Sequence, residues 1–322
     1  MTQVSIIIPH FNRSMLLRET LGSVKAQTFT DWEIIIVDDG STEVEYDNIS
    51  KLESENVMVI QRTDGAKGPS RCRNIGAEMA KGKYLLFLDS DDLFAPHCLA
   101  QRVTAMEESL ITGLGVFLME EFISVPGDSG KIFNQQVSES DWSVAFIKND
   151  NPWNVTCPMW RNEFFKTVGG FDEDFLFMED PELHLRAINV PGAGIKTFYH
   201  LPADSYYRVN HIDSTKGEFN YNSIVYRIAF YQKILKTHNL RQSIPLRKAW
   251  KAGLYQLTKT FLFSRLKQFP DLVNRMIEMM QKSKLYSGPE LSWFRILLKG
   301  GAADSRLATA MHLKGICYKL LP

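Results

Sequence analysis

The sequence has few cysteines and no long apolar run. Its four cysteines, Cys72, Cys98, Cys157 and Cys317, are scattered, and no two of them form a C-x-x-C pair. This pattern argues against a disulfide framework or a cysteine-rich zinc site and is typical of reduced thiols in a cytoplasmic protein. No apolar run approaches the roughly 18 residues that span a bilayer. The first residues lack the basic start of a secretory leader, so we expect a cytoplasmic protein that at most binds the inner face of the cell membrane.

Acidic side chains are scarce in the last third of the chain. Residues 221–322 hold 18 Lys and Arg against 4 Asp and Glu, whereas residues 1–220 hold 19 against 33. The two excesses cancel, so the formal net charge of the whole chain is zero. Such an asymmetry predicts two parts with different partners. We therefore expect one domain at 1–217 and a basic helical region at 218–322.

Strands and helices alternate in the first hundred residues. Apolar runs predict strands at 4–9, 32–37, 57–61 and 84–88, and helical spacing predicts helices at about 15–27, 45–54 and 69–80, the first capped by Ser14. This order predicts parallel pairing with right-handed crossovers. Farther on, the pattern predicts a hairpin over 114–137, helices at 141–148, 162–168 and from about Asp180, and strands at 195–199 and 205–209.

Polar clusters follow three of the predicted strands, at 9–12, 38–39 and 89–92. Parallel sheets bind ligands beyond the carboxyl ends of their strands, so these clusters should meet at one edge. The third cluster, in YLLFLDSDDLF, places three carboxylates within four residues. Two carboxylates about 4 Å apart repel by roughly 4 kcal/mol at an effective dielectric near 20. Such an oxygen-rich site suits Mg²⁺ or Mn²⁺, and the alternative is a solvated turn in which Asp92 caps the next helix.

Four segments, in order, resemble the nucleotide-sugar domain of glycosyltransferase family 2: VSIIIPHFNR, TFTDWEIIIVDDGST, GPSRCRNIGAEMAKGKYLLFLDSDD and GGFDEDFLFMEDPELHLRA. The resemblance covers about residues 1–215. It implies the GT-A fold, an α/β three-layer sandwich with a mostly parallel central sheet and a Rossmann-like nucleotide-binding half, here followed by the basic helical region. It also implies transfer of a sugar from a nucleotide sugar, with inversion and with Mn²⁺ or Mg²⁺ as cofactor.

The resemblance implies roles for individual residues of the donor site. Asp39 would accept a hydrogen bond from the imide of uracil, and Asp38 would support its loop. Asp91 would bind the metal, and Asp89, near the ribose, is a second candidate ligand. An alternative role for Arg73 is an ion pair with Asp38 or Asp39. The remaining candidates for contact with the nucleotide sugar are Pro9, Phe11, Arg73, Asn74 and Ser90.

Asp180 occupies the place of the family's catalytic base. A carboxylate there would take the proton of the attacking hydroxyl, which contributes about 10² to 10⁴ in rate. The local alternative is a helix N-cap, with Pro181 as the first helical residue. Glu179 and Trp160 are candidate acceptor contacts, and a core tryptophan is the alternative for Trp160. His211, in YYRVNHIDST, is a candidate metal ligand, and a structural histidine is its alternative.

The basic region lies outside the resemblance. In PLRKAWKAGLYQLTKTFLFSRLKQF, the apolar face of Trp250, Leu254, Leu257 and Phe261 lies away from most of the lysines and arginines. A basic amphipathic helix of this kind suits the surface of an anionic membrane. The alternative is a helical cap whose apolar face packs on the catalytic domain. We expect no nucleic acid partner.

Together these features predict single-sugar transfer from a UDP-sugar to a glycan or lipid-linked acceptor in surface polysaccharide synthesis. The Q-x-x-R-W motif of the family's processive synthases is missing, which favours transfer of one sugar. One alternative is a non-catalytic nucleotide-sugar-binding or scaffold protein that keeps the fold. Another is a sugar nucleotidyltransferase, but PHFNRS stands after the first strand where that class has a glycine-rich loop.

Overall fold

The computed structural model describes residues 2–63, 65, 67–209, 221–262 and 268–303. The chain divides into two compact units. The first consists of Met1–Gln136 and Asn151–Ile212, and the second of Val137–Asp150 and Asp213–Pro322. The predicted domain boundary at 217 stays a prediction. The second compact unit also includes the short segment Val137–Asp150.

Apolar runs form the four N-terminal strands of the first unit, because parallel strands covered on both faces bury both sets of side chains. These strands pair in parallel in the spatial order β3-β2-β1-β4. They are β1 (Val4–His10), β2 (Trp32–Asp38), β3 (Val57–Gln61) and β4 (Tyr84–Phe87). The carboxyl ends of β1, β2 and β4 therefore lie side by side, and the loops that follow them build the candidate site.

Within the described residues, seven short strands complete the sheets of the first unit. They are β5 (Leu93–Phe94), β6 (Leu114–Val116), β7 (Met119–Phe122), β8 (Lys131–Ile132), β9 (Pro158–Arg161), β10 (Lys196–Thr197) and β11 (Ser205–Arg208). The large sheet has the order β10-β6-β9-β4-β1-β2-β3, in which only β9 runs antiparallel to its neighbours. The small sheet has the order β5-β11-β7-β8 and contains the predicted hairpin in a shorter form, as β7 and β8.

Helices cover both faces of the large sheet. Those of the first unit are α1 (Ser14–Lys25), α2 (Glu43–Ser50), α3 (Pro69–Met79), α4 (Cys98–Glu108), α6 (Asn162–Val168) and α7 (Glu179–Ile188), while α5 (Trp142–Lys148) belongs to the second unit. Ile6 and Ile8 of β1 pack in the core that α1, α2 and α4 cover. Ile7 points to the other face, where α3 comes so close that a Cβ on Gly76 would lie 2.4 Å from its Cγ2. The predicted three-layer α/β fold is confirmed.

The predicted cap of α1 is wrong. Ser14 is the first residue of the helix, and Arg13 occupies the cap position without a capping hydrogen bond from its own side chain. The Ser14 N–H instead donates a hydrogen bond of 2.8 Å to the Glu45 carboxylate of α2. This contact satisfies one of the N–H groups that a helix start leaves without an intrahelical partner.

The second unit is helical within its described residues. Besides α5 it contains α8 (Tyr221–Thr237), α9 (Ile244–Leu257), α10 (Pro270–Ser283) and α11 (Gly288–Ala303), with one π-helical turn at Thr258–Leu262. The predicted apolar face of α9 is buried, and Trp250 Nε1 donates to the Tyr231 carbonyl at 3.0 Å. Because Trp250, Leu254 and Leu257 are covered, this face is not open to a membrane, and binding of residues 221–322 to an anionic membrane stays a prediction. No helix among the described residues combines the length and the hydropathy of a membrane span.

Candidate active site

Asp38 ties together the loops that follow β1 and β2. Its carboxylate accepts hydrogen bonds from His10 Nδ1 at 2.9 Å and from the hydroxyl and N–H of Ser41 at 2.5 and 3.0 Å. His10 Nε2 accepts the Arg13 N–H at 3.1 Å, so the ring proton lies on Nδ1. Burial raises the pKa of Asp38, but the hydrogen bonds from His10 and Ser41 outweigh it and hold the pKa below its ordinary value. This buried carboxylate fixes the shape of the loops.

Asp39, the next residue, lies between a buried arginine and a glycine. Arg62 Nη1 donates to its Oδ1, and the Gly68 N–H donates to its Oδ2 at 2.8 Å. The Asp39 side chain remains 12% exposed. The alternative in which Arg73 pairs with Asp38 or Asp39 is wrong, because Arg73 pairs with Asp89 and Glu179 instead.

An exposed aromatic ring lies on the loop after β1. Phe11 is 45% exposed, and Lys67 Nζ lies 4.2 Å from the centre of its ring. Pro9 is half-buried near the end of β1, where it pairs with Val37 of β2. The chain then turns at Asn12, whose φ of 51° is left-handed, and the Asn12 side chain accepts the Thr42 N–H at 2.9 Å. Phe11 is thereby held at the surface beside the end of β2.

The three carboxylates after β4 are compensated in three different ways. Asp89 accepts from Arg73 Nη2 at 2.7 Å, and Asp91 accepts from Arg13 Nη1 at 2.6 Å. Asp92 is fully buried and accepts the Arg208 N–H at 3.1 Å. Burial and the charges of Asp89 and Asp91 raise the pKa of Asp92 well above its ordinary value, against the opposing hydrogen bond and charge of Arg208. This shift disfavours three simultaneous negative charges in the cluster, which would repel one another.

The alternative of a solvated turn is wrong for this cluster. Asp91 and Asp92 are buried, as is Ser90 between Asp89 and Asp91. Asp92 caps no helix, since α4 begins only at Cys98 with His97 in the cap position.

Arg208 of β11 holds the carboxylate turn from the small sheet. Its Nε donates to the Asp91 carbonyl at 2.9 Å, and its Nη2 donates to Glu19 at 2.7 Å. The neighbouring Tyr207 lies near the carboxylates that follow β4 and near Asp180. Burial, followed by the charges of Asp92, Asp89, Asp91 and Asp180, raises the pKa of the Tyr207 phenol to about 12. The phenol therefore stays protonated and can donate a hydrogen bond at neutral pH.

Arg73 of α3 joins the carboxylate turn to the start of α7. Its Nη2 donates to Asp89 at 2.7 Å, and its Nη1 donates to Glu179 at 3.1 Å. Burial lowers the pKa of Arg73, yet the charges of Asp89 and Glu179 more than offset it and raise the pKa above its ordinary value. Arg73 is therefore a permanent cation at the centre of the site.

Asn74 anchors the loop that leads into α7. Its amide oxygen accepts the Phe171 N–H at 2.8 Å, and its amide nitrogen donates to the Phe171 carbonyl at 2.9 Å and to Glu173 at 2.8 Å. The side chain thus contacts the protein's own loop, and it positions the segment that ends at Asp180.

Asp180 lies inside the first turn of α7. The helix begins at Glu179, and Met178 takes the cap position with a left-handed φ of 70°, so the N-cap alternative for Asp180 is wrong. Pro181 is the third helical residue. Within the described residues, the Asp180 side chain makes no ion pair and no hydrogen bond to another residue. Burial, followed by the charge of Glu179, raises the pKa of Asp180 to about 8, against the opposing charge of Arg73.

The structure places Trp160 in the core and does not describe His211. Trp160 lies on β9 and is fully buried, with its ring 5.9 Å from Phe164 and 6.0 Å from His184. Its interpretation as an acceptor contact is therefore wrong, and the core alternative is correct. His211 lies outside the described residues. Glu179, the other acceptor candidate, pairs with Arg73, and burial raises its pKa above the ordinary value.

Asp89 and Asp91 are the residues that could hold a divalent cation. Mg²⁺ takes oxygen ligands and commonly only one or two protein carboxylates, so this pair fits the donor set. In the ranges that the structure describes, no group of three or more His, Cys, Asp or Glu side chains has the arrangement of a metal site. A site built here therefore depends on oxygens of the substrate or of water as well.

The motifs revealed the acidic residues and Arg73 but missed three further arginines that contact this site. Arg13 lies 78 residues from its partner Asp91 in the sequence, and Arg62 lies 23 residues from its partner Asp39. Arg208 lies 117 residues from Asp91, whose carbonyl it contacts. The sequence carries one usable signal, since Arg13 and Arg62 each follow the end of a predicted strand. Arg208 and Tyr207 lie in a predicted strand without such a signal.

Residues 5–124 match the sequence model of Glycosyl transferase family 2. This match confirms the resemblance to glycosyltransferase family 2 found in the motifs. The poly(ribitol-phosphate) beta-glucosyltransferase of Bacillus spizizenii is 45% identical over 101 residues, 30% of this chain and 16% of that protein. The UDP-Glc:alpha-D-GlcNAc-diphosphoundecaprenol beta-1,3-glucosyltransferase WfaP of Escherichia coli is 28% identical over 211 residues, 65% of this chain and 78% of that protein.

The fold is similar to that of solved glycosyltransferase structures. The crystal structure of residues 1–349 of S. aureus TarS, in complex with UDP-GlcNAc, matches with a TM-score of 0.68 at 17% identity, over 97% of this chain and 92% of that chain. This likeness concerns the fold. The chain spans less than a third of the length of three of the curated relatives that it matches.

Proposed function

We propose that the protein is a metal-dependent, inverting glycosyltransferase. It transfers one sugar from a UDP-sugar to a glycan or lipid-linked acceptor of surface polysaccharide synthesis. The observation that carries the proposal is the pair of contacts from Arg73 to Asp89 and to Glu179, at 2.7 and 3.1 Å. One guanidinium joins the turn that would hold the diphosphate to the helix that carries Asp180. Donor and base would then be adjacent, as a direct displacement requires.

The nucleotide would lie over the loops that follow β1 and β2. Each carboxylate oxygen accepts up to two hydrogen bonds, so Asp39 retains capacity for the imide N–H of uracil beside its contacts with Arg62 and Gly68. The exposed ring of Phe11 offers a face on which a base can stack. The Escherichia coli relative is named for UDP-Glc, which supports a UDP-linked donor.

Asp91, together with Asp89, would hold Mn²⁺ or Mg²⁺. Such an ion would compensate the negative charge that develops on the departing diphosphate. Arg13 and Arg73 hold the same carboxylates, so binding of the ion requires the Arg13–Asp91 ion pair to open. Arg13 is 32% exposed and has room to move toward solvent.

Asp180 would act as the general base. It would accept the proton of the acceptor hydroxyl while that oxygen forms a bond to the anomeric carbon and the bond from this carbon to the diphosphate oxygen breaks. UDP leaves with the bonding electron pair, and attack from the opposite side inverts the anomeric carbon. The raised pKa makes Asp180 a stronger base than an ordinary aspartate, and the neighbouring Arg73 keeps part of the population ionised.

The acceptor would carry phosphate. The Bacillus relative is named for poly(ribitol-phosphate), and the Escherichia coli relative is named for a diphosphoundecaprenol-linked sugar. Both names describe acceptors with phosphate esters, whether in a polymer or in a lipid. The net positive charge of residues 221–322 is suited to such an acceptor.

A screen of sugar nucleotides tests the proposal. UDP release is measured over a panel of UDP-sugars with a phosphate-bearing glycan acceptor, with Mn²⁺ or with EDTA. We expect turnover with one donor or a few, and loss of turnover with EDTA and in Asp180→Asn. Tight UDP-sugar binding without turnover in any combination would favour a scaffold protein. Release of pyrophosphate from UTP and a sugar phosphate would favour a nucleotidyltransferase, and turnover that survives EDTA would contradict the metal.

A further inference from the structure

The second unit contains a cavity of about 570 Å³, and none of its lining residues belongs to the candidate active site. It lies between the end of α8, the turn after it and α10, within the size range of about 300–1,000 Å³ that is usual for ligand pockets. Four cationic side chains and one carboxylate line it: Lys236, Arg241, Arg275, Lys282 and Glu278. The lining is therefore strongly basic.

The one carboxylate that lines the cavity offsets only part of its positive charge. Glu278 pairs with Lys282 at 2.6 Å on the surface of α10. Within the described residues, Lys236, Arg241 and Arg275 have no carboxylate partner. Like charges in one cavity repel one another. A cluster of cations with a purely structural role would be more stable with acidic side chains between them, and Glu278 is the one acidic residue in this lining. An anion bound in the cavity would remove the repulsion.

The rest of the lining suits a flexible anion with a polar or partly apolar body. Leu235, Leu240 and Met279 supply apolar surface, and Gln232 and Asn239 supply amide groups. Burial lowers the pKa of the neighbouring His238, so its ring is neutral near pH 7 and adds no charge. Arg241 and Arg275 bring two planar guanidinium groups, which bind phosphate oxygens with two parallel hydrogen bonds each.

We propose that this cavity binds a phosphate ester of the acceptor, either a phosphodiester of a polymer or the diphosphate of a lipid-linked glycan. The inference rests on the proposed function for calling the ligand the acceptor. A flat bilayer surface is a poorer fit, because the site is concave and the apolar face of α9 is buried in the protein. The site would hold a part of the acceptor other than the reacting sugar.

Binding to the full-length protein tests the proposal, without donor and with EDTA so that diphosphates avoid the metal site. The probes are a glycerol phosphate hexamer, geranyl diphosphate and vesicles with 30% phosphatidylglycerol. The cavity variant carries Lys236→Gln, Arg241→Gln and Arg275→Gln. The matched control carries Lys248→Gln, Lys259→Gln and Arg295→Gln, three exposed cations of the same unit outside the cavity. Both variants lose three positive charges.

We expect the cavity variant to bind the hexamer, geranyl diphosphate or both at least about tenfold more weakly than the wild type does. The affinity of the control variant should change by less than about threefold. The probe that loses affinity identifies the source of the phosphate. Equal losses in both variants would overturn the proposal, since net charge alone would then explain binding. Loss confined to the vesicles would also overturn it and would point to phospholipid headgroups. If the triple variant fails to fold, Arg241→Gln and Arg275→Gln are measured singly. Turnover with a phosphate-free acceptor should be equal in both variants, which separates this test from that of the proposed function.

Discussion

The Asp180 carboxylate has the properties of a catalytic base. It lies in the first turn of α7 and makes no ion pair or hydrogen bond to another residue within the described residues, and its pKa is raised to about 8. We predict that Asp180→Asn lowers kcat by about 10² to 10⁴ while the dissociation constant of the UDP-sugar changes less than about threefold. Single-turnover kinetics and calorimetry measure the two quantities. Asp174→Asn, the same change at an exposed site of the preceding loop, serves as the control and should leave kcat unchanged.

Stability distinguishes loss of the base from damage to the fold. An ordinary aspartate has a pKa near 3.9, so the folded protein holds the proton of Asp180 more tightly than the unfolded chain does. The stability linked to this carboxyl is therefore full below about pH 4 and is lost as the pH rises toward 8. Asp180→Asn should unfold at a higher temperature than the wild type at pH 8.5, and by a smaller margin at pH 5. An inactive variant that melts lower at both pH values would count against our assignment.

The pH dependence of the reaction follows from the same group. A base must be deprotonated to act, so we predict that kcat/KM rises as the pH rises through about 8 and then levels off. Arg73 opposes the shift, so Arg73→Gln should move the midpoint to higher pH. Initial rates from pH 6 to 9.5 at subsaturating donor give the profile. A kcat/KM that is flat over this range would be inconsistent with Asp180 as the base.

Arg13 competes with a metal for the Asp91 carboxylate. Its Nη1 lies 2.6 Å from Asp91 Oδ2, and a partly exposed ion pair of this kind is worth up to about 1 kcal/mol. We predict that Arg13→Gln raises the affinity for Mn²⁺, measured by electron paramagnetic resonance without donor, up to about fivefold. Arg18→Gln, in the helix that follows Arg13 and bonded to the Asn48 carbonyl, is the control. Unchanged or weaker Mn²⁺ binding in Arg13→Gln would show that Asp91 is not the ligand.

The close approach of α3 to β1 is an element-scale feature that two glycines test. A Cβ on Gly76 would lie 2.4 Å from Ile7 Cγ2, whereas a Cβ on Gly22 of α1 would have no heavy atom within 4 Å. We predict that Gly76→Ala lowers the free energy of unfolding by about 1–3 kcal/mol, because the layers must separate. Gly22→Ala should raise it by about 0.5–1 kcal/mol, because alanine favours the helix. Denaturant titration measures both, and equal effects would contradict the packing described here.

Strands and helices with a strong hydrophobic pattern were predictable from the sequence. Elements that depend on pairing with strands far away in the sequence were not. The bounds predicted for β3 and α6 are those observed, because apolar runs and helical spacing are local signals. β9 was missed: PMWR is four residues long, and it is a strand only because β4 and β6 flank it. The cap of α7 was misplaced, because Met178 adopts a left-handed φ that the sequence gives no reason to expect.

At the scale of the whole molecule, the charge asymmetry predicted two parts but not their composition. The helix Trp142–Lys148 lies in the middle of the predicted first domain, yet it belongs to the second unit. A helical pattern identifies a buried face without naming the partner that covers it. The same limit applies to α9, whose apolar face suggested a membrane and is covered by protein. In the site, the sequence revealed the carboxylates after the strands and one arginine, Arg73, but it missed Arg13, Arg62 and Arg208.

A crystal structure with UDP and Mn²⁺, with the metal located by its anomalous signal, would show whether the carboxylate turn after β4 binds the donor. We expect manganese in contact with Asp91, the diphosphate beside Asp89 and Arg73, the uracil imide at Asp39, and Arg13 released from Asp91. Manganese and UDP bound away from these residues, with Arg13 still paired to Asp91, would contradict this expectation.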